Sequence, residues 1–289
     1  MAERRSSGQK LLGPYGVASL ACVVLGGWIA GAHGVPASVW ARNPGAWVLG
    51  LAVAAAMGRT AGRRAQAGFL LAAPLGLVAT LLAPGLGDVH RWLQLGPLQV
   101  NAAEILLPPA VVALSALGGS RRWPWLVAML VGALLVAQPD ASQATAFAGA
   151  GVVALALSAS ARGFRWSGVA IAMAAAAAAW LRPDPLAPVP EVEGILHLAW
   201  GLSPFIATLA AATLLAAALI PMVAVQLGAP LSCYFLVSAV APALGAFPVP
   251  LVGMGVSPIL GAWLGVGVLV AGNAAAQPGR SSAQPRLYN

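Results

Sequence analysis

Apolar residues run through the chain in ten near-uncharged blocks, rich in Ala, Leu, Val and Gly and separated by short polar or proline-bearing gaps. A bilayer's hydrocarbon core is about 30 Å thick and takes roughly 20 apolar residues per helix, fewer where neighbouring helices shield the ends. The blocks predict helical spans over 15–33, 46–57, 67–86, 105–119, 124–137, 143–159, 167–181, 205–225, 226–247 and 259–273. The basic residues then set an orientation. Twelve of the 15 fall in every second gap, and Arg42, Arg91 and Arg182 are the other three. Loops rich in Lys and Arg stay in the cytoplasm. The chain reads as an all-α polytopic membrane protein of about ten transmembrane helices. Both termini are cytoplasmic, the long loops are periplasmic, and the expected location is the bacterial inner membrane.

The gaps on the cytoplasmic side, 58–66, 120–123 and 160–166, are too short for a nucleotide-binding domain, and no phosphate-cradling glycine loop follows a strand-like run. Long connections at 87–104, 182–204 and 248–258 face outward, and their Trp92, Trp200 and Ile195 suit packed rather than floppy segments. We divide the chain into an N-terminal segment (1–12), a membrane domain (13–273) and a disordered cytoplasmic tail (274–289). The first apolar run lacks a clean cleavage site and is expected to act as an uncleaved signal anchor.

Composition narrows the chemistry. Hydrophobic residues make up 60% and charged residues 8% of the chain, so a soluble core is excluded. The net charge of +8 follows from the orientation bias and does not imply nucleic acid. Cys22 and Cys233 both lie inside spans, which argues against a disulfide framework or zinc site. Of the seven acidic residues, Asp88, Glu104, Asp140, Asp184, Glu191 and Glu193 lie in or beside the outward gaps, as do all three histidines. A secondary transporter normally needs ionisable groups at mid-membrane, and these spans carry almost none.

Three outward segments then resemble the SEDS family, the RodA/FtsW-type peptidoglycan glycosyltransferases. The loop from Gly87 to Glu104 is similar to the family's G-A-x-R-W-I-x-L-G-x-x-x-x-Q-P-S-E, with Arg91, Trp92, Leu95, Gly96 and Glu104 in place and Asn101-Ala102-Ala103 replacing Q-P-S. Gln138-Pro139-Asp140 resembles the start of Q-P-D-L-G-T-A. The stretch from Leu244 to Ser257 resembles L-G-L-L-P-V followed by P-x-I-S-Y-G-G-S, with Gly255 and Ser257 matching. The likeness spans residues 67–273.

The resemblance implies a polymerase of lipid II, working at the periplasmic face beside a class B penicillin-binding protein or another single-pass membrane partner. Arg91, Trp92, Glu104, Asp140, Gly255 and Ser257 would then contact substrate, with Arg91 near the pyrophosphate. A departing diphosphate needs cations beside it, so a divalent cation enters as a possible cofactor; no other is implied. The loop that carries the family's catalytic Asp, L-P-E-x-H-T-D-F-I-F-A, is the most altered. Without a gap that position falls on Ile195; with two residues deleted it falls on Glu193, while Glu191 matches the preceding P-E. Glu193 is therefore the first candidate for the base and Glu191 the second. Two readings stay open: an active glycosyltransferase, or a non-catalytic scaffold that kept the fold to bind a partner's helix or a polyprenyl-linked precursor.

Overall fold

A computed structural model describes residues 2–60, 62–87, 89–119, 121–182, 184–225 and 227–276. Asp88 and most of the tail, 277–289, lie outside the described residues. The ten predicted spans each overlie one helix: α1 (Ala2–Ala32), α3 (Arg42–Thr60), α4 (Arg63–Leu82), α5 (Ala102–Leu117), α6 (Trp123–Ala137), α7 (Ala141–Leu157), α8 (Arg162–Trp180), α10 (Pro204–Ala224), α11 (Ala229–Val240) and α12 (Val256–Ala276). Four of these helices contain stretches long and apolar enough to cross a membrane by themselves, Leu11–Ala32, Arg63–Leu82, Pro204–Ala224 and Val256–Asn273. The protein is an all-α membrane protein.

The span predicted over 226–247 is shorter than expected. Pro230 opens α11 in its first turn, where a missing N–H costs nothing, and a 3-10 turn at Ala241–Ala243 ends it around Pro242. Three further elements lie in the long connections: α2 (Ala37–Trp40), the antiparallel pair β1 (Trp92–Leu95) and β2 (Leu98–Asn101), and α9 (Ile195–Leu202). The hairpin turns at Gly96, whose φ of +60° suits a residue without Cβ.

Two cores hold the bundle. One surrounds the fully buried Trp263 of α12, with Tyr15 and Trp47 edge-on at centroid separations of 5.0 and 5.7 Å. The other fills the space among α4, α5, α6 and α7 around Leu107, Leu114 and Phe147. Between membrane helices apolar burial against lipid gives little drive, so close packing of small residues does the work. A Cβ on Gly50 would lie 2.6 Å from the Trp263 ring, and one on Gly267 would lie 2.9 Å from the Ala54 Cα. Gly261, Gly265, Gly267 and Gly272 all face neighbours inside the bundle and serve α12's own packing.

Candidate functional site

The site is built where three helices start. Asn101 ends β2 and caps α5, its side-chain oxygen accepting from the N–H groups of Ala103 (2.9 Å) and Glu104 (3.3 Å). Asp140 caps α7, accepting from the Gln143 N–H at 3.2 Å and the Ser142 hydroxyl at 3.1 Å. Ser257 sits in the first turn of α12, and its hydroxyl accepts the Asn101 N–H at 2.9 Å, tying the last long loop to the hairpin. Helix N-termini favour negative charge, so two of the three carry a carboxylate at once: Glu104 in the first turn of α5 and Asp140 at the cap of α7.

These elements enclose a cavity of about 510 Å³ on the face that carries the long connections. Arg91, Trp92, Glu104, Asp140, Gly255, Ser257 and Glu193 all line it, so three loops far apart in sequence converge on one space. Glu191 does not line it. Its carbonyl accepts the Met254 N–H at 2.9 Å while the Val192 carbonyl accepts the Val249 N–H at 3.1 Å, so this stretch is stitched backbone to backbone onto the last long loop. Gly253 permits that contact, since a Cβ there would lie 2.6 Å from the Val192 carbonyl oxygen. Ile195, the residue an ungapped match would put in the catalytic position, is fully buried at the start of α9 and belongs to the core.

Arg91 is the centre of the charge arrangement. Its Nη1 lies 2.7 Å from an Asp184 oxygen and its Nε 3.8 Å from an Asp140 oxygen, and the same guanidinium donates to the carbonyls of Gln138 (3.3 Å) and Pro139. Only 6% of Arg91 is exposed. Gln138 extends the clamp, its amide donating to the Leu77 carbonyl at 3.0 Å and to the Thr80 hydroxyl, which fixes the end of α6 to α4. Asp184 is the member of this set that sequence reading did not single out as a site residue. It is placed by a tertiary contact across the cavity, and no local spacing signals it.

Glu193 lines the same cavity from the turn before α9. Its carboxylate accepts the Val189 N–H at 2.6 Å. Burial, helped by the nearby Asp184 and Glu191 charges, pushes its carboxyl above the usual glutamate range, although the Val189 bond pulls the other way. Among the described residues that line it, the cavity has one basic side chain, Arg91, against four acidic ones, Glu104, Asp140, Asp184 and Glu193. Among the described residues no three His, Cys, Asp or Glu side chains gather in a set able to hold a metal ion, and Asp140 and Asp184 are already engaged by Arg91. The donor set therefore does not fit a ready-made divalent site.

Two spaces adjoin the cavity. A chamber of about 30 Å³ beneath Glu104 and Ser142 reaches into the bundle, lined by Tyr15 and Ser238, and the Tyr15 hydroxyl has no hydrogen-bond partner among the described residues. An open groove of about 360 Å³ runs past Gln99 and Gly255 to Arg42, Asn43 and Gln94. It presents the Arg42 guanidinium and the exposed amides of Gln94 and Gln99, whereas Asn43 is buried and donates to the Gly253 carbonyl at 2.9 Å; in the sequence Arg42 stands out only as one of three outward arginines.

No protein-family model matches the chain, and no curated protein sequence does. Solved structures do. The chain is similar to the rod shape determining protein RodA of Thermus thermophilus, with a TM-score of 0.56 at 23% identity, over 89% of this chain and 94% of that one. It is also similar to a chain from a structure describing how a peptidoglycan synthase complex coordinates polymerization and crosslinking, with a TM-score of 0.57 at 21% identity, over 88% and 95% of the two chains. The chain thus has the RodA fold along nearly its whole length.

Proposed function

We propose that this chain is a divergent SEDS protein that polymerises a polyprenyl-diphosphate-linked disaccharide at the periplasmic face, beside a single-pass penicillin-binding protein. The observation that carries the reading is that Glu193 and Arg91 line the same cavity, on the face where the three SEDS-like motifs meet. The RodA fold and the likeness to a chain of a peptidoglycan synthase complex support it.

In this mechanism an acceptor sugar hydroxyl attacks the anomeric carbon of the donor. The C–O bond to the diphosphate breaks, and the lipid diphosphate leaves with the bonding pair. Glu193 takes the proton from the attacking hydroxyl, and burial raises its affinity for that proton above the usual glutamate range. The diphosphate lies at the α12 N-terminus, the one of the three without a carboxylate of its own, with Arg42 within the adjoining groove. Arg91 keeps Asp140 and Asp184 in register and takes the diphosphate only by releasing Asp184, its more exposed partner at 26%. Trp92 offers a ring for a sugar face, and Gly255 leaves room beside it.

A second reading has its own support. The Glu193 carboxylate already closes its own turn through the Val189 N–H, which is a structural task sufficient to retain it in a non-catalytic scaffold. Labelled lipid II supplied to the purified protein with its partner separates the two. The enzyme reading expects glycan from the wild type and a loss of about 10²–10⁴ in rate in Glu193→Gln. Undiminished polymerisation by Glu193→Gln removes the assignment of the base, and no polymerisation by the wild-type complex favours the scaffold.

A further inference from the structure

Away from the cavity, at the other end of the helices, α6, α7 and α8 enclose an apolar groove of about 240 Å³. Its walls are Met129 and Gly132 of α6, Phe147 and Leu155 of α7, and Ile171 and Ala175 of α8. A Cβ on Gly132 would lie 3.5 Å from the Ala175 Cβ, so α6 and α8 approach closely at that end of the groove. Trp125 forms a fixed jamb there, its indole N–H bonded to the Gly118 carbonyl at 2.9 Å and its ring edge-on to Phe164.

One charged side chain lines this space, Arg122 at the mouth. Arg121 stands next to it, and Arg162 and Arg165 lie within the first four residues of α8 at the same end. Among the described residues both salt bridges belong to Arg91, so none of these four is paired with a carboxylate. Glu104, Asp140, Asp184, Glu191 and Glu193 sit at the opposite end of the helices. The N-termini of α6 and α8 lie at this same end and contribute their positive dipole ends.

Depth identifies the occupant. From Arg122 to Gly132 the groove follows ten residues of α6, about 15 Å at 1.5 Å per residue, which is half of a hydrocarbon core about 30 Å thick. The groove thus runs inward from the arginine end and reaches Ala144 near the start of α7, a length that accommodates one acyl chain. We infer that this groove holds an acyl chain of an anionic glycerophospholipid, with the lipid's phosphate held at Arg122. The site is independent of the glycosyltransferase reading and stands if that reading fails.

Native mass spectrometry of the full chain in detergent tests it, with phosphatidylglycerol and phosphatidylcholine of identical acyl chains as probes. The wild type should retain one phosphatidylglycerol in preference to phosphatidylcholine. An interfacial arginine contributes about fivefold to binding an anionic lipid, so Arg122→Gln should weaken phosphatidylglycerol retention by about that factor. Arg122→Lys should keep it, and Arg64→Gln, the same charge change outside the groove, should leave it unchanged. Ala172→Phe, which fills the groove, should reduce retention of both lipids, and inorganic phosphate should displace neither. Equal retention of the two lipids by the wild type, an equal loss in Arg64→Gln, unchanged binding in Ala172→Phe, or displacement by free phosphate would each overturn the inference.

Discussion

Replacing Arg91 with Gln should cost the fold about 3–5 kcal/mol, the range for removing one partner of a buried ion pair. The magnitude comes from what stays behind. Asp140 is 2% exposed and would be left with only its capping bonds. The carbonyls of Gln138 and Pro139 would lose a charged donor. Asp184 contributes less, because its side chain is 26% exposed and water can take over the lost bond. A second substitution isolates the charge term. Asp140→Asn keeps an oxygen to cap α7 while removing the stranded charge, so the double variant Arg91→Gln/Asp140→Asn should recover 1–2 kcal/mol, within the coupling of about 0.5–3 kcal/mol expected for contacting residues. Unfolding of the four proteins in mixed micelles, followed by tryptophan fluorescence, measures the cycle. A cost under about 1 kcal/mol for Arg91→Gln, or strict additivity of the pair, would refute the claim that this guanidinium holds the loops together.

Two other expectations follow. Cysteine placed at position 184 should react with an impermeant label from the periplasm while cysteine at 63 and 162 is protected, and labelling of 63 from outside would invert the orientation. Glu193 binds its proton more tightly in the folded chain than in the unfolded one. Stability should therefore fall as pH rises from the ordinary glutamate range, about 4.3, through the raised value, and Glu193→Gln should flatten that slope. The acid limb of polymerisation should also lie above the ordinary glutamate range; a limb at that range would deny Glu193 its place as base.

The ten spans were legible because apolar blocks without charge have few other homes, and their order alone carries the RodA fold. Their ends were less legible, since Pro230 and Pro242 trim α11 from inside an unbroken apolar run. The hairpin left a signal that went unread: Trp92-Leu-Gln-Leu and Leu98-Gln-Val-Asn flank Gly96-Pro97 as two short alternating runs around a turn. Asn101, noted only as a departure from Q-P-S, could have been found too, because Asn three residues before Glu104 and ahead of an apolar run is a helix-start signature. Asp184 was beyond reach, since its partner lies 93 positions away and nothing in 182–194 announces it.

Gly261 sets how closely α12 meets α5. A Cβ at that position would come within 1.9 Å of the Glu104 carbonyl oxygen, so α12 and α5 meet main chain against main chain. One turn earlier on α12 lies Ser257, whose hydroxyl receives the Asn101 N–H just before α5 begins. The height of the last long loop above the first is thus a length, fixed by the thickness of two backbones, and no charge enters into it. Whatever the carboxylates do when they gain or lose protons, the frame they hang on keeps the same dimensions.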